Sequence, residues 1–184
     1  MAASHRRLTP PPRAYASYDL QLVPLPVGVA RLMLSGRFRP AQAEGRQTSE
    51  SRWHPEYPML DSIDAIAMAF AAHRAIMGTV KESPAWWIHQ IVADGVVVGD
   101  IGFHGPPSPE RAVEIGYSVV PAWRGRGVAS RACALILQQA WWDGADTVVA
   151  ETDDGNVASQ AVLLRNGFER RPDGIFVINR SEAQ

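Results

Sequence analysis

The run Val119-Val120-Pro121-Ala122-Trp123-Arg124-Gly125-Arg126-Gly127-Val128-Ala129 constrains this chain more than any other segment. It reads as a strand, a turn built of glycine and arginine, and a helix that starts directly from the turn. Pro121 ends the strand, because proline has no N–H to donate to a ladder. A helix N-terminus leaves amides unpaired and carries partial positive charge. Glycines at 125 and 127 let the backbone approach a ligand closely. Such a terminus can cradle a pyrophosphate. An isolated R-G-R-G is equally compatible with a tight strand-to-helix connection and no ligand. Neither G-x-x-x-x-G-K-[ST] nor a complete G-x-G-x-x-G is present.

The segments around this turn predict a mixed, mostly antiparallel α/β sheet. Leu20-Gln21-Leu22-Val23-Pro24-Leu25 alternates as a strand, and a helix follows from Val27 to Leu34. Arg37 to Tyr57 is polar and interrupted by Pro40, Gly45 and Pro55, so it reads as a long loop carrying Trp53, His54 and Tyr57. Asp61 or Ser62 can cap a helix that runs to Met77 and stops at Gly78. Ile66, Phe70, His73 and Met77 share one face of that helix. A meander comes next: Trp86 to Val92, a turn at Asp94-Gly95, Val96 to Phe103, and Ala112 to Val119. The helix after the glycines buries Ala129, Ala132, Cys133, Ile136 and Ala140, and Trp141 and Trp142 close the core at its end. A strand at Thr147 to Glu151, a helix from Asn156 to Asn166, and strands at 168–171 and 175–179 complete the pattern.

At 184 residues the chain suits one domain. Residues 1–17 mix proline, alanine and basic residues without periodicity, so they read as a disordered arm before a domain spanning 18–184. Eighteen basic residues against nineteen acidic ones give a net charge of -1, which offers no electrostatic pull toward nucleic acid or an anionic membrane. No apolar run follows Arg6 and Arg7 to form a secretory signal, and no window approaches a membrane span. The lone cysteine, Cys133, allows no intrachain disulfide and suits a reducing cytoplasm. His73, His89 and His104 are not accompanied by ligands at metal spacing, so no metal is expected. A homodimer is compatible with the sequence.

The order of motifs carries a family resemblance. Glu114-Ile115-Gly116-Tyr117 precedes the turn, Arg124, Gly127 and Ala129 fit a [Q/R]-x-x-G-x-[G/A] signature, and Asn156-x-x-Ser159 and Asn166-Gly167-Phe168 follow it. This arrangement, across roughly residues 18–180, resembles the GCN5-related N-acetyltransferases (GNAT superfamily), in particular the branch that acetylates ribosomal proteins. The resemblance implies a sheet splayed between its fourth and fifth strands, which here are Ala112–Val119 and Thr147–Glu151. It implies acetyl-CoA as co-substrate, with the pantetheine arm along Tyr117, Ser118, Val119 and Val120. The N–H groups of Arg124, Gly125, Arg126, Gly127, Val128 and Ala129 would take the pyrophosphate, and Arg126 stands near the 3′-phosphate or simply at the surface. Asn156 would contact the cofactor arm, cap its helix, or both. The long loop would border the acceptor.

Glu114 matches a glutamate that orients or deprotonates the acceptor amine, as against an exposed strand residue paired with a basic neighbour. Many relatives place a tyrosine seven residues after the asparagine to protonate the departing thiolate. Leu163 stands there instead and has no proton to donate. Ser159 is the substitute acid, or simply a serine at a helix start. The implied reaction is direct transfer of acetyl to a primary amine of a small molecule or protein. A second reading keeps the cradle without the chemistry, as a catalytically inactive acyl-CoA-binding or sensing module. A nucleic-acid binder using Arg124, Arg126 and Arg131 is disfavoured by the balanced charge.

Overall fold

The computed structural model describes residues 18–49, 51–81 and 84–180. The expected arm at 1–17 lies outside them. The first half of the chain runs β1 (Leu20–Pro24), α1 (Val27–Leu34), α2 (Phe38–Ser49), β2 (Arg52–Trp53) and α3 (Leu60–Met77). The meander follows as β3 (Ile88–Ala93), β4 (Val96–Phe103) and β5 (Ala112–Val119). A short 3-10 turn at Pro121–Trp123 leads to α4 (Val128–Trp142), β6 (Thr147–Ala150), α5 (Val157–Arg165), β7 (Glu169–Arg170) and β8 (Phe176–Asn179). The sheet order is β1-β3-β4-β5-β6-β8-β7, with β2 paired to β4 off that path. All neighbours are antiparallel except β5 with β6 and β2 with β4. Helices α1 and α3 contact one another, and α3 packs on β3, β4 and β5. Helix α4 packs on β1, β4 and β5 and carries α5 beside it.

The expected α/β sheet with flanking helices is the architecture observed. The Asp94-Gly95 hairpin takes φ of 48° and 72°, the doubly left-handed turn that matches strand twist. Gly78 ends α3 in the left-handed region at φ 72°.

Two expectations need correction. The long polar loop is helix α2 followed by the two-residue β2. Pro40 falls in the first turn of α2, where a missing N–H costs no helical bond, and Ala41 is fully buried on that helix. Trp53 and Tyr57 are core residues, 5% exposed each, packed edge to face at 5.1 Å. The strands expected to splay, Ala112–Val119 and Thr147–Glu151, are β5 and β6 once the two-residue β2 is counted. Helix α3 starts before either proposed cap: Met59 is the N-cap, two residues ahead of Asp61, and its N–H donates to Ser62 Oγ at 3.4 Å. Two helix ends also differ, since Met77 is half exposed and Trp142 is 90% exposed instead of closing the core.

A polar cluster sits within this core. Asp100 on β4 pairs in register with Ser118 on β5 and with Gln90 on β3. Ser118 Oγ donates to Asp100 Oδ1 at 2.8 Å and meets Ser62 Oγ at 3.1 Å. Asp100 Oδ2, Gln90 Nε2 and the Tyr57 hydroxyl complete no hydrogen bond of good geometry. Burial pushes the Asp100 carboxyl up to about 6, from 3.8. The folded protein therefore holds this proton more tightly than the unfolded chain, and stability declines as pH rises from about 4 to 6. Asp100→Asn keeps an acceptor for Ser118 and removes that slope. We expect denaturant unfolding to show the variant more stable at pH 7.5, by on the order of 2–3 kcal/mol. An unchanged slope would place the titrating group elsewhere.

Candidate active site

The site begins where β5 parts from β6. The two strands pair in parallel only through Ala112, Val113 and Glu114, against Thr147, Val148 and Val149. Beyond Glu114, β5 continues along β4 alone, from Ile115 to Val119. His104 N–H donates to Glu114 O and Val120 N–H to Val98 O, both at 2.9 Å. By alternation, the amides of Gly116 and Ser118 also face β4, and those of Tyr117 and Val119 face the opening wedge. Arg124 Nε reaches back across the turn to Val119 O at 2.8 Å.

Gly125 and Gly127 both hold left-handed φ, 70° and 80°. Gly127 is the N-cap of α4, and nothing lies within 4 Å of where its Cβ would be. Its backbone, rather than a crowded neighbour, demands glycine. Arg131 N–H makes the bond to Gly127 O at 3.0 Å, so Val128, Ala129 and Ser130 precede the helical ladder with amides that have no carbonyl of their own helix. They point, with the positive end of α4, into a cavity of about 550 Å³. Tyr117, Ser118 and Val119 form one wall of that cavity, and Asn156, Ser159 and Arg165 of α5 form another. A larger hollow of about 820 Å³ lies at the opposite end of α3, between Arg31, Phe70 and Arg74. It brings none of the predicted site residues together.

Most of the predicted cofactor residues converge on the smaller cavity. Tyr117, Ser118, Val119, Arg124, Gly125, Gly127, Val128, Ala129 and Asn156 all line it. Val120 is fully buried and Arg126 turns away, its guanidinium over the Trp123 ring at 5.8 Å. The Arg124 N–H donates to Pro121 O at 3.2 Å, so the amide cradle starts after it. Asn156 caps α5, accepting from Ser159 N–H at 3.1 Å. Tyr18, just ahead of β1, braces the turn: its hydroxyl donates to Arg126 O, and its own carbonyl accepts from Arg131, both at 3.0 Å.

The two faces of β5 carry different chemistry. Toward α5, the Tyr117 hydroxyl meets Ser159 Oγ at 2.8 Å and Ser159 O at 3.1 Å. Burial pushes the Tyr117 phenol up to about 12, so it stays protonated as a donor. Cys133 is fully buried and burial raises its thiol to about 12, which leaves no thiolate for nucleophilic attack. Toward α3, Glu114 Oε1 accepts from His104 Nδ1 at 3.0 Å. Sequence reasoning passed over His104 and gave Tyr117 only a backbone role. Finding either requires the cross-strand register, which the proline-rich connection between β4 and β5 conceals. Among the described residues no cluster of His, Cys, Asp and Glu could hold a metal ion.

A sheet edge thus opens beside a glycine-lined helix N-terminus. A family profile, the acetyltransferase (GNAT) domain, matches residues 38–169. The chain belongs to the GNAT family. No curated protein matches it in sequence. Solved structures that share the fold include Mycobacterium smegmatis RimJ in complex with CoA-disulfide, 22% identical, covering 89% of this chain and 83% of that one, TM-score 0.57. RimL, a ribosomal-protein α-N-acetyltransferase in complex with coenzyme A, is 16% identical, covering 91% and 97%, TM-score 0.57. The microcin self-immunity acetyltransferase MccE, in complex with acetyl-CoA and AMP, is 16% identical, covering 88% and 92%, TM-score 0.54.

The free amides at the start of α4 suit a pyrophosphate, and two substitutions test this. Gly127→Glu places a carboxylate in the cradle at a strained φ. Ala129→Glu does so at a helical position, where an acid near the N-terminus favours folding. Both should weaken acetyl-CoA binding at least about 100-fold by calorimetry, the worth of two or three charged contacts. Binding retained by folded Ala129→Glu would refute the cradle.

Proposed function

We propose that this protein transfers the acetyl group of acetyl-CoA directly to a primary amine, with both substrates bound together. The observation that carries the reading is the β5 edge at Tyr117 and Val119, opened toward the amide-lined terminus of α4. Acetyl-CoA supplies the activated acyl thioester. Val119 N–H, aimed into the wedge, is the donor for the thioester carbonyl as negative charge develops on it. Ser159 and Tyr117 form a coupled hydroxyl pair where the two walls meet, and they return a proton to the departing thiolate. This fills the vacancy left by Leu163, which is fully buried. Glu114 belongs to the opposite, proton-accepting side, because an ammonium must lose a proton before it can attack.

A covalent acetyl-cysteine route has no support in the geometry, given the buried and protonated Cys133. Positioning of two substrates therefore supplies much of the rate. Asp61 lines the same cavity near Ser118 and is an acid that a cationic acceptor can meet on entry. RimL, which shares the fold, is a ribosomal-protein α-N-acetyltransferase, so a protein α-amine belongs in any acceptor screen beside small amines. The balanced charge and buried thiol favour a cytoplasmic setting without nucleic acid or membrane as partner.

Initial-rate plots against acetyl-CoA and an amine found by free-thiol release should intersect, and Cys133→Ala should keep most activity. Parallel lines with a trapped acetyl-enzyme would overturn direct transfer. Ser159→Ala and Tyr117→Phe should each lower kcat roughly 10–100-fold, in the lower range for a general acid. Their acetyl-CoA KM should change little. Equal loss in kcat and in cofactor affinity would reduce the pair to a structural contact.

A further inference from the structure

We propose that His104 is the group that takes the proton from the acceptor amine, and that Glu114 acts through it as a positioning residue. The inference rests on the reading of the site as an amine acetyltransferase. Its ground is the juxtaposition of His104, Glu114 and Gly116 on the α3 side of β5.

His104 Nδ1 and Glu114 Oε1 are 3.0 Å apart, and the same two residues share a backbone bond from His104 N–H to Glu114 O. A carboxylate accepts, so Nδ1 carries the ring proton and Nε2 carries the lone pair. That nitrogen is directed along the strand, over Gly116. A Cβ built on Gly116 would lie 2.4 Å from His104 Nε2 and 3.1 Å from Cε1. Glycine at 116 therefore makes room for the imidazole, and no other residue leaves the ring where it stands. Among the described residues Nε2 has no hydrogen-bond partner. The next side chain on this face is Ser118, which lines the cavity, at roughly 6–7 Å along the strand for two residues. Neither His104 nor Glu114 lines the cavity itself, and we place the amine nitrogen in that interval, at the cavity's edge beside Ser118.

The other candidate base is less well placed. Glu114 sits at the last residue that still pairs with β6, and its side chain is 37% exposed against 19% for His104. Its near oxygen is occupied by the ring. Gly105, the residue after His104, presses on α3, since a Cβ there would lie 2.7 Å from Ala72 Cβ. The imidazole is thus anchored from both ends, by Glu114 at Nδ1 and by a backbone seated against a helix.

The step balances. The amine nitrogen forms its bond to the thioester carbonyl carbon while the C–S bond breaks. The proton on nitrogen passes to His104 Nε2, and Glu114 offsets the imidazolium charge. The thiolate takes its proton from the Ser159–Tyr117 pair, the imidazolium releases its own to water as the amide leaves, and the hydroxyl pair regains one from water.

The test uses the full chain. Ring-nitrogen NMR should show neutral His104 protonated at Nδ1, with an Nε2 resonance that shifts when acetyl-CoA is added. Thiol release from acetyl-CoA is then followed with glycylglycine as the amine probe and with water alone. His104→Gln should lower kcat/KM for the amine by roughly 10²–10⁴-fold, the usual worth of a general base, with calorimetric acetyl-CoA affinity unchanged. Glu114→Gln should cost about tenfold, because the carboxylate that fixes the tautomer and orientation of the ring is lost. In the His104→Gln background Glu114→Gln should cost nothing further. An Nε2-protonated tautomer, an Nε2 signal indifferent to acetyl-CoA, or additive losses in the double variant would each overturn the proposal. The NMR arms decide it even if neither acceptor turns over. Loss of acetyl-CoA binding in the native protein would instead remove the acetyltransferase reading beneath it.

Discussion

Backbone hydrogen bonding at one strand edge governs this molecule. Strand β5 keeps three residues of partnership with β6 and then has β4 alone, so the amides of Tyr117 and Val119 face a gap instead of a neighbouring strand. An unpaired edge inside a protein is costly unless something satisfies it. Arg124 satisfies one carbonyl by reaching back to Val119. The remainder is an opening that an extended, amide-bearing chain can enter as if it were another strand. The helix terminus beyond it gives the same opening a positive end. Shape and charge thus select a long ligand with an anionic tail, before any side chain takes part in chemistry.

In the proposed reaction strand β5 also divides the proton traffic. Alternation sends Tyr117 toward α5, where its hydroxyl meets Ser159, and sends Glu114 and Ser118 toward α3, where His104 and Asp100 wait across the β4 ladder. Groups that give a proton and groups that receive one are separated by the thickness of a sheet. They cannot neutralise one another directly. Burial maintains the arrangement on the donor side by keeping the Tyr117 phenol protonated.

Much of this was legible because it is local. The strand-proline-glycine-helix run, the Asp94-Gly95 turn and the Asn156 cap are written in a few consecutive residues, and each sits where the pattern put it. Helix α2 was not legible, because its polar residues and internal Gly45 resemble a loop. Packing against α1 and Trp53 holds it helical, a contact that no window of residues reveals. The pairing of His104 with Glu114 was hidden for a related reason. It depends on register across a connection of eight residues, and register flips every side chain when it slips by one. Gly116 did hold a trace of it, as a glycine inside an otherwise strong strand.

Tyr18 ties the segment just ahead of β1 to the glycine-rich turn. Its ring stands edge-on to Trp123 at 5.9 Å and beneath the Arg131 guanidinium at 4.6 Å, while its hydroxyl holds the carbonyl of Arg126. Residues more than a hundred positions apart thus form one mechanical joint. A substitution at Tyr18 would release the carbonyl of Arg126 and the guanidinium of Arg131 together, so the shape of the glycine-rich loop depends on a side chain far outside the loop's own sequence.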